Sequence, residues 1–328
     1  MKKIYLLLLV LLFIQGCGTK QPKVLVNEEI DSQLKDKIEK MNRGFLRAVT
    51  SNNIGVMKKM IDTDKYEGEE SFEAFFEKMH EHIESDNYTI LDEYHIKNTT
   101  MGGVDTLHSI NKKINSYELR YPKKSTEMFV SLILVDSFGE KVLLTIMYGR
   151  VVTGWRIAVL HIGGYTTNNK TAPELYIKSK KEFEKGHLIN SMNIIFLAID
   201  RLEPAGMYIK YDSEQKIKTH YEMVLRDTKI AYTFPLSLQD IKTQPIIFDI
   251  YPEVVDSNYC PVFRYISKID IQDTLQLKEE NIQVHERVKK IFKGVDKGSK
   301  NIAYKVLNRF PQGEFDEVKG YGFYKKNE

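Results

Sequence analysis

The apolar positions of the chain change period several times, and the changes mark out its parts. An unbroken apolar run from Ile4 to Ile14 follows Lys2 and Lys3 and ends at Gln15-Gly16-Cys17-Gly18. It is about half the roughly 20 residues that a helix needs to cross a bilayer. It therefore predicts the core of a signal peptide behind a basic start. From residue 31 the spacing becomes helical. Leu34, Ile38, Met41, Phe45 and Val49 fall at steps of three and four and share one face. Ile54, Met57 and Ile61 continue the pattern after the polar Ser51-Asn52-Asn53 break. Phe72, Phe75, Phe76, Met79 and Ile83 resume it behind Ser71, a residue suited to cap a helix start.

Near residue 88 the period falls to two. Strands are predicted over 88–96, 107–121, 127–135, 141–150 and 155–162. The turn signals Ser137-Phe138-Gly139-Glu140 and Thr153-Gly154 are short enough to make the last three an antiparallel meander. Helical spacing returns between Pro173 and Gly186, a start and a stop of the expected kinds. Leu188, Met192, Ile195, Ile199 and Leu202 form a second helical face, ended by Pro204. The remainder is mixed. Ile217, Tyr221, Val224 and Leu225 suggest a helix, Pro245–Tyr251 and Val262–Ile271 strands, and Ile282, Val284, His285, Val288 and Phe292 one helical face. Asn301–Leu307 and Gly320–Tyr324 look like closing strands.

The predicted class is α+β. Its expected parts are a leader at 1–16, a polar tether at 17–30, three helices plus a curved antiparallel sheet at 31–165, a helical hairpin at 172–204 and an α+β domain at 208–328.

Composition adds exclusions. With 328 residues, 42% apolar and 28% charged, the chain is neither collagenous, disordered nor polytopic. Its 48 basic residues stand against 45 acidic ones, and two of the lysines lie in the leader. Such near-neutrality offers no electrostatic case for nucleic acid. No Walker loop, HExxH, GxSxG, paired CxxC or EF-hand loop occurs, so neither a cofactor nor a metal is expected. His80 and His82 are two apart, which on a helix turns them about 200° from each other and away from any shared ion.

The segment Ile14-Gln15-Gly16-Cys17 resembles the lipobox of bacterial lipoproteins. The resemblance implies a diacylglyceryl group on the Cys17 thiol, cleavage before Cys17, and an extracytoplasmic, membrane-bound address in the cell envelope. Gly18 at the next position points to the outer membrane where the cell has one. Two or three acyl chains on one residue give stable anchoring. A plain secretory leader is the alternative. With Cys17 so used, Cys260 is the remaining thiol and has no internal partner; between Tyr259 and Pro261 it reads as a small buried apolar residue.

Two further resemblances bear on the fold. Three helices followed by a long meander is similar to the cone-shaped nuclear transport factor 2-like fold. Phe45-Leu46-Arg47-Ala48-Val49 with Asn52-Asn53, and the closing Gly154-Trp155-Arg156-Ile157, look like that superfamily's first helix and last strand. Phe183, Gly186, Ser191, Ala198 and Pro204 resemble positions of a tetratricopeptide repeat. A plain helical hairpin is the alternative there.

The candidate chemistry follows from the cone. Such a sheet would enclose an apolar pocket, and Tyr94, His108, Tyr148, Trp155 and His161 lie on predicted strands from which some could point inward. In enzymes of that superfamily an Asp or His works with a Tyr in proton transfer, which makes Asp92, Tyr94, His108, Tyr148 and His161 the catalytic candidates, with Asp92 and Tyr94 sharing a strand face. Tyr251, Tyr259, Phe263 and Tyr265 gather in one stretch and read as core before interface. Lys178, Lys180, Lys181 and Lys185, interrupted by Glu182 and Glu184, read as a solvated helix face. The function expected is that of a lipid-anchored envelope protein that binds a partner protein or a small apolar ligand without chemistry; the alternative is an enzyme of isomerase or dehydratase type.

Overall fold

Three short side chains start the N-terminal helices. In the computed structural model, which describes residues 21–61, 71–110, 113–255, 258–313 and 316–327, helix α1 (Ser32–Thr50) opens on Asp31, whose carboxylate accepts the Leu34 N–H at 3.0 Å. Asn53 does the same for α2 (Ile54–Met60) and Ser71 for α3 (Phe72–His82). Each such cap is worth about 1 kcal/mol. The segment 1–16, read from the sequence as a leader, and Cys17 lie outside the described residues.

The fold separates into two units. The first runs through Asp105 and takes in Tyr121–Ile133 and Leu144–His161; the second comprises Thr106–Arg120, Leu134–Leu143 and everything from Ile162 on. The division thus cuts across the strands of the expected 31–165 domain. Seven α-helices and three sheets are present among the described residues, an α+β composition.

The first unit carries most of a five-stranded sheet of order β1-β2-β5-β6-β7, made of Lys23–Val26, Tyr88–Lys97, Glu127–Ser137, Glu140–Val151 and Gly154–Gly164. Two-residue connections join the last three, as expected of a meander. Strand β1 falls within the segment read as a tether. It pairs antiparallel with β2, Val24 opposite Ile96 and Val26 opposite Tyr94, and Ile30 just beyond it is buried. Four residues are too few to display a period, so pairing with a neighbour, not local pattern, makes this strand. Ile38, Phe45, Leu46 and Val49 of α1, Phe76 and Met79 of α3 and Phe129, Ile146 and Ile157 of the sheet are buried.

The single strand predicted over 107–121 is in fact two, β3 (Val104–His108) and β4 (Tyr117–Pro122). The polar stretch between them turns, with the Ser116 N–H on the Lys113 carbonyl and the Tyr117 N–H on Ser109 Oγ, both at 3.0 Å. Strand β4 pairs with β8 (Ile209–Tyr211), a three-residue strand that the sequence pattern did not reveal.

In the second unit, α4 (Ala172–Glu184) and α5 (Leu188–Asp200) form the expected hairpin around Gly186, whose φ of +75° favours glycine. A third helix, α6 (Glu214–Ala231), packs on both. Helix α5 is buried nearly all round, Asn190, Ser191 and Asn193 included, because strands also cover it. A second five-stranded sheet has the order β13-β12-β11-β10-β9, comprising Gly320–Lys326, Asn301–Leu307, Asn258–Ile266, Ile246–Val255 and Leu236–Ser237. Strands β11 and β12 are parallel, which requires a crossover; α7 (Thr274–Ile291) supplies it. Its inner face is Leu277, Val284 and Val288, packed with Phe263, Tyr265, Phe292 and Tyr304. Ile282, placed on that face by the sequence pattern, is exposed.

One buried polar bridge ties the first unit's long helix to its sheet. Asn42 on α1 donates to Ser131 Oγ of β5 at 3.1 Å and accepts from the Tyr148 hydroxyl of β6 at 2.7 Å. All three residues are fully buried. Replacing Asn42 with Leu removes both bonds and leaves desolvated hydroxyls behind, at about 1–3 kcal/mol each. We therefore expect Asn42→Leu to lower stability by roughly 2–4 kcal/mol in urea unfolding, and the added changes Ser131→Ala and Tyr148→Phe to recover most of the loss.

Candidate functional site

The residues singled out from the strand pattern occupy different surroundings. Tyr148 faces helix α1 through Asn42, and burial pushes its hydroxyl pKa far up, which keeps it neutral. Asp92 and Tyr94 alternate on β2 with Glu93 and His95, so the two pairs occupy opposite faces of the strand. Asp92 accepts the Asn27 amide at 2.8 Å. Burial lowers the His161 pKa and favours the neutral ring. His108 is exposed on β3, not interior.

The same sheet carries a pair that the sequence pattern passed over. His95 Nε2 lies 2.9 Å from Glu127 Oε1, with the Trp155 ring edge-on at 6.4 Å and Arg150 above Trp155 at 5.6 Å. No spacing signals it, because the two residues are 32 apart on strands that become neighbours only in the folded sheet.

His80 and His82 both lie on α3, and His80 Nδ1 sits 2.9 Å from the Val49 carbonyl. No group of three or more His, Cys, Asp or Glu side chains suited to a metal exists among the described residues. Cys260 is buried in a small cluster with Val262 and Ala303, and burial pushes its thiol up to about 11, so it is a protonated core residue at neutral pH.

The second unit presents the concave site. A cavity of about 330 Å³ lies between α5, α6 and β10, lined by Met192, Phe196, Tyr221, Leu225, Ile250 and Tyr251, with Asn193, Asp249 and Pro252 completing it. That volume is at the lower end of small-molecule sites. Phe196 is 52% exposed, unusual for a phenylalanine on an otherwise buried helix.

Its strand wall is shaped by a bulge. Between Ile247 and Asp249 the β10–β11 register shifts by one residue, so that Asp249 stands opposite Arg264. The two form an ion pair, with Arg264 Nε 2.8 Å from the carboxylate. The guanidinium also lies over the rings of Phe248 at 5.2 Å and Tyr251 at 5.3 Å. A planar cation gripped on one edge by a carboxylate and lying over two rings has little freedom. It holds Tyr251 as part of the wall. The Tyr251 hydroxyl donates to Glu253 at 3.0 Å, and burial first, then that carboxylate, raises its pKa to about 12.

Beneath the cavity, Asn193 and Asn190 flank one hydroxyl. Tyr259 donates to Asn190 Oδ1 at 3.2 Å and stands 3.4 Å from Asn193 Nδ2. Of the four grouped aromatics, Tyr259, Phe263 and Tyr265 are core and Tyr251 lines the cavity.

Neither a family model, nor a curated protein, nor a solved structure matches the chain. No described helix is long and apolar enough to cross a membrane.

The α4–α5 junction that supports this site carries a charge cluster. Glu182 is buried and receives Lys185 Nζ at 2.7 Å and His187 Nδ1 at 2.8 Å. Burial raises its pKa, but the two hydrogen bonds together outweigh that and hold the carboxyl below its ordinary value. A depressed folded-state pKa gives stability that is complete above the unfolded pKa, near 4.3, and is lost as pH falls through the folded value. Glu182→Gln should therefore cost about 1–3 kcal/mol at pH 7. In urea titrations the gap from the natural chain should close as the pH is lowered below about 4.

Proposed function

We propose that this chain is a lipid-anchored protein of the bacterial cell envelope whose second unit binds a small, ring-bearing apolar ligand without transforming it. The observation that carries the reading is the aromatic cavity, with its exposed Phe196 and its Tyr251 wall braced by Arg264. Concave, largely apolar sites with one or two oriented polar groups suit such ligands. Asp249 is already neutralised by Arg264, so it orients more than it attracts. For the first unit we retain the nuclear transport factor 2-like reading, which the order of α1–α3 before strands β2, β5, β6 and β7 supports; β1, ahead of α1, is an addition to that pattern. The enzymatic alternative draws less support. Its Tyr148 hydroxyl is spent on an amide, and Asp92 is engaged by Asn27.

The neutral fluorophore N-phenyl-1-naphthylamine tests the cavity. Saturable enhancement is expected, weakened about tenfold in Phe196→Ala or Tyr251→Ala, the scale of one lost apolar contact of about 1.4 kcal/mol. Enhancement that is absent, or undiminished in both variants, removes the reading.

Anchoring is tested separately by growing cells with an alkyne analogue of palmitate. The chain should take up label through Cys17 and lose it in Cys17→Ala. Label retained in that variant overturns the assignment of the lipid to this thiol.

A further inference from the structure

A second recess in the same unit differs chemically from the first. It encloses about 300 Å³, and Lys178 of α4 with Lys297 and Lys300 of the 293–300 loop line it alongside Tyr259 and Gly298. Lys178 therefore leaves the solvated stripe that the sequence pattern assigned to it. It is half-buried, its ammonium 5.8 Å from the centre of the Tyr259 ring. Among the described residues neither Lys178 nor Lys300 forms an ion pair, and Lys297 has Asp296, its chain neighbour, at 3.3 Å.

The loop is held in place. Asn190 Nδ2 donates to the Gly294 carbonyl, 2.6 Å away, and Val295 is fully buried. A Cβ on Gly298 would stand 2.5 Å from Asn190 Nδ2, so only glycine allows the loop this close to α5. Two of the three amines therefore sit on backbone whose course is fixed before any ligand arrives, which lowers the entropy lost on binding.

We propose that this recess binds a phosphate-bearing anion. Three lysines lining one concavity, offset by Asp296 at Lys297 and more weakly by Glu182 at Lys178, suit a ligand of charge −2 or more better than a monoanionic carboxylate. Lysine supports this role as a compact point charge. Burial first and then Lys170 disfavour the charge on Lys178, against a smaller favourable effect of Glu182. A bound anion relieves that cost. The phosphate could be free in solution or a lipid headgroup, since both offer the same oxygens. The recess is separate from the aromatic cavity, so the inference stands whether or not that cavity binds its own ligand.

The test uses the chain from residue 18 on, which carries neither the apolar leader nor Cys17, so that no anchor reaches a bilayer. Isothermal titration with inorganic pyrophosphate, and sedimentation with phosphatidylglycerol–phosphatidylcholine vesicles against pure phosphatidylcholine, distinguish the two sources. Saturable binding of pyrophosphate is expected if the phosphate is free, and binding of the anionic vesicles if it is a headgroup. Either should weaken about tenfold in Lys178→Met and in Lys300→Ser, and with added salt. Lys300 is exposed, so its variant keeps the test open should Lys178→Met not fold. Lys180→Gln, on the exposed side of the same helix, and Phe196→Ala should leave binding unchanged. The proposal is overturned if neither probe binds, if binding survives both lysine variants, or if acetate binds as tightly as pyrophosphate.

Discussion

The Tyr259 hydroxyl, buried between two amides, is the constraint on which the second unit's architecture depends. Burial raises its pKa and keeps it a neutral donor. A buried hydroxyl without a partner costs a few kcal/mol, so strand β11 must sit where Asn190 and Asn193 can meet it. Apolar contacts alone would tolerate a helix sliding by part of a turn; directional hydrogen bonds between buried groups do not. Asn190 then uses its other arm on the Gly294 carbonyl, which ties the 293–300 loop to the same helix. Both recesses follow from that junction. Asn193 lines the aromatic one, and Tyr259 and Gly298 line the basic one.

Such junctions also explain what could be read from the chain and what could not. The helices of the first unit were legible because their faces repeat every three or four residues and their caps are local: Asp31, Asn53 and Ser71 act on N–H groups three positions ahead. The meander was legible because period two and Gly139 or Gly154 are local as well. Strands β1 and β8 were not, since four and three residues show no period and their partners lie far away in sequence. The face of α7 was partly misread because Ile282, apolar but exposed, fits the helical spacing as well as Leu277 does.

The candidate site was still less legible. Tyr251 and the lysine stripe stood out as compositional clusters, but their roles depend on residues with no sequence signature. The bulge at Phe248 is one case. Without the extra residue Asp249 would not face Arg264, and the guanidinium would not lie across Phe248 and Tyr251. The glycine at 298 is another, since nothing in the Lys-rich loop shows that Asn190 lies against it. Lys178 divides from Lys180, Lys181 and Lys185 only once the loop is folded against α4's end of the unit.

The polar interior of the helical layer sets a limit on reading function from contacts. Ser179 Oγ lies 3.0 Å from His220 Nε2, a spacing that on a surface cleft would suggest a nucleophile and its base. Here both are buried, and Ser179 also meets the Ser191 carbonyl at 2.8 Å. His220 lies edge-on to the rings of Tyr176 and Phe183. Burial and Lys180 disfavour its charged form, so it is poorly suited to accept a proton and hold it. A serine that no substrate can reach and a histidine kept neutral make a hydrogen-bonded clamp joining α4, α5 and α6. The distinction between a clamp and a dyad lies in access and charge, not distance, and by the same measure the half-buried Lys178 with the exposed Lys297 and Lys300 beside the open recess are where an ion can act.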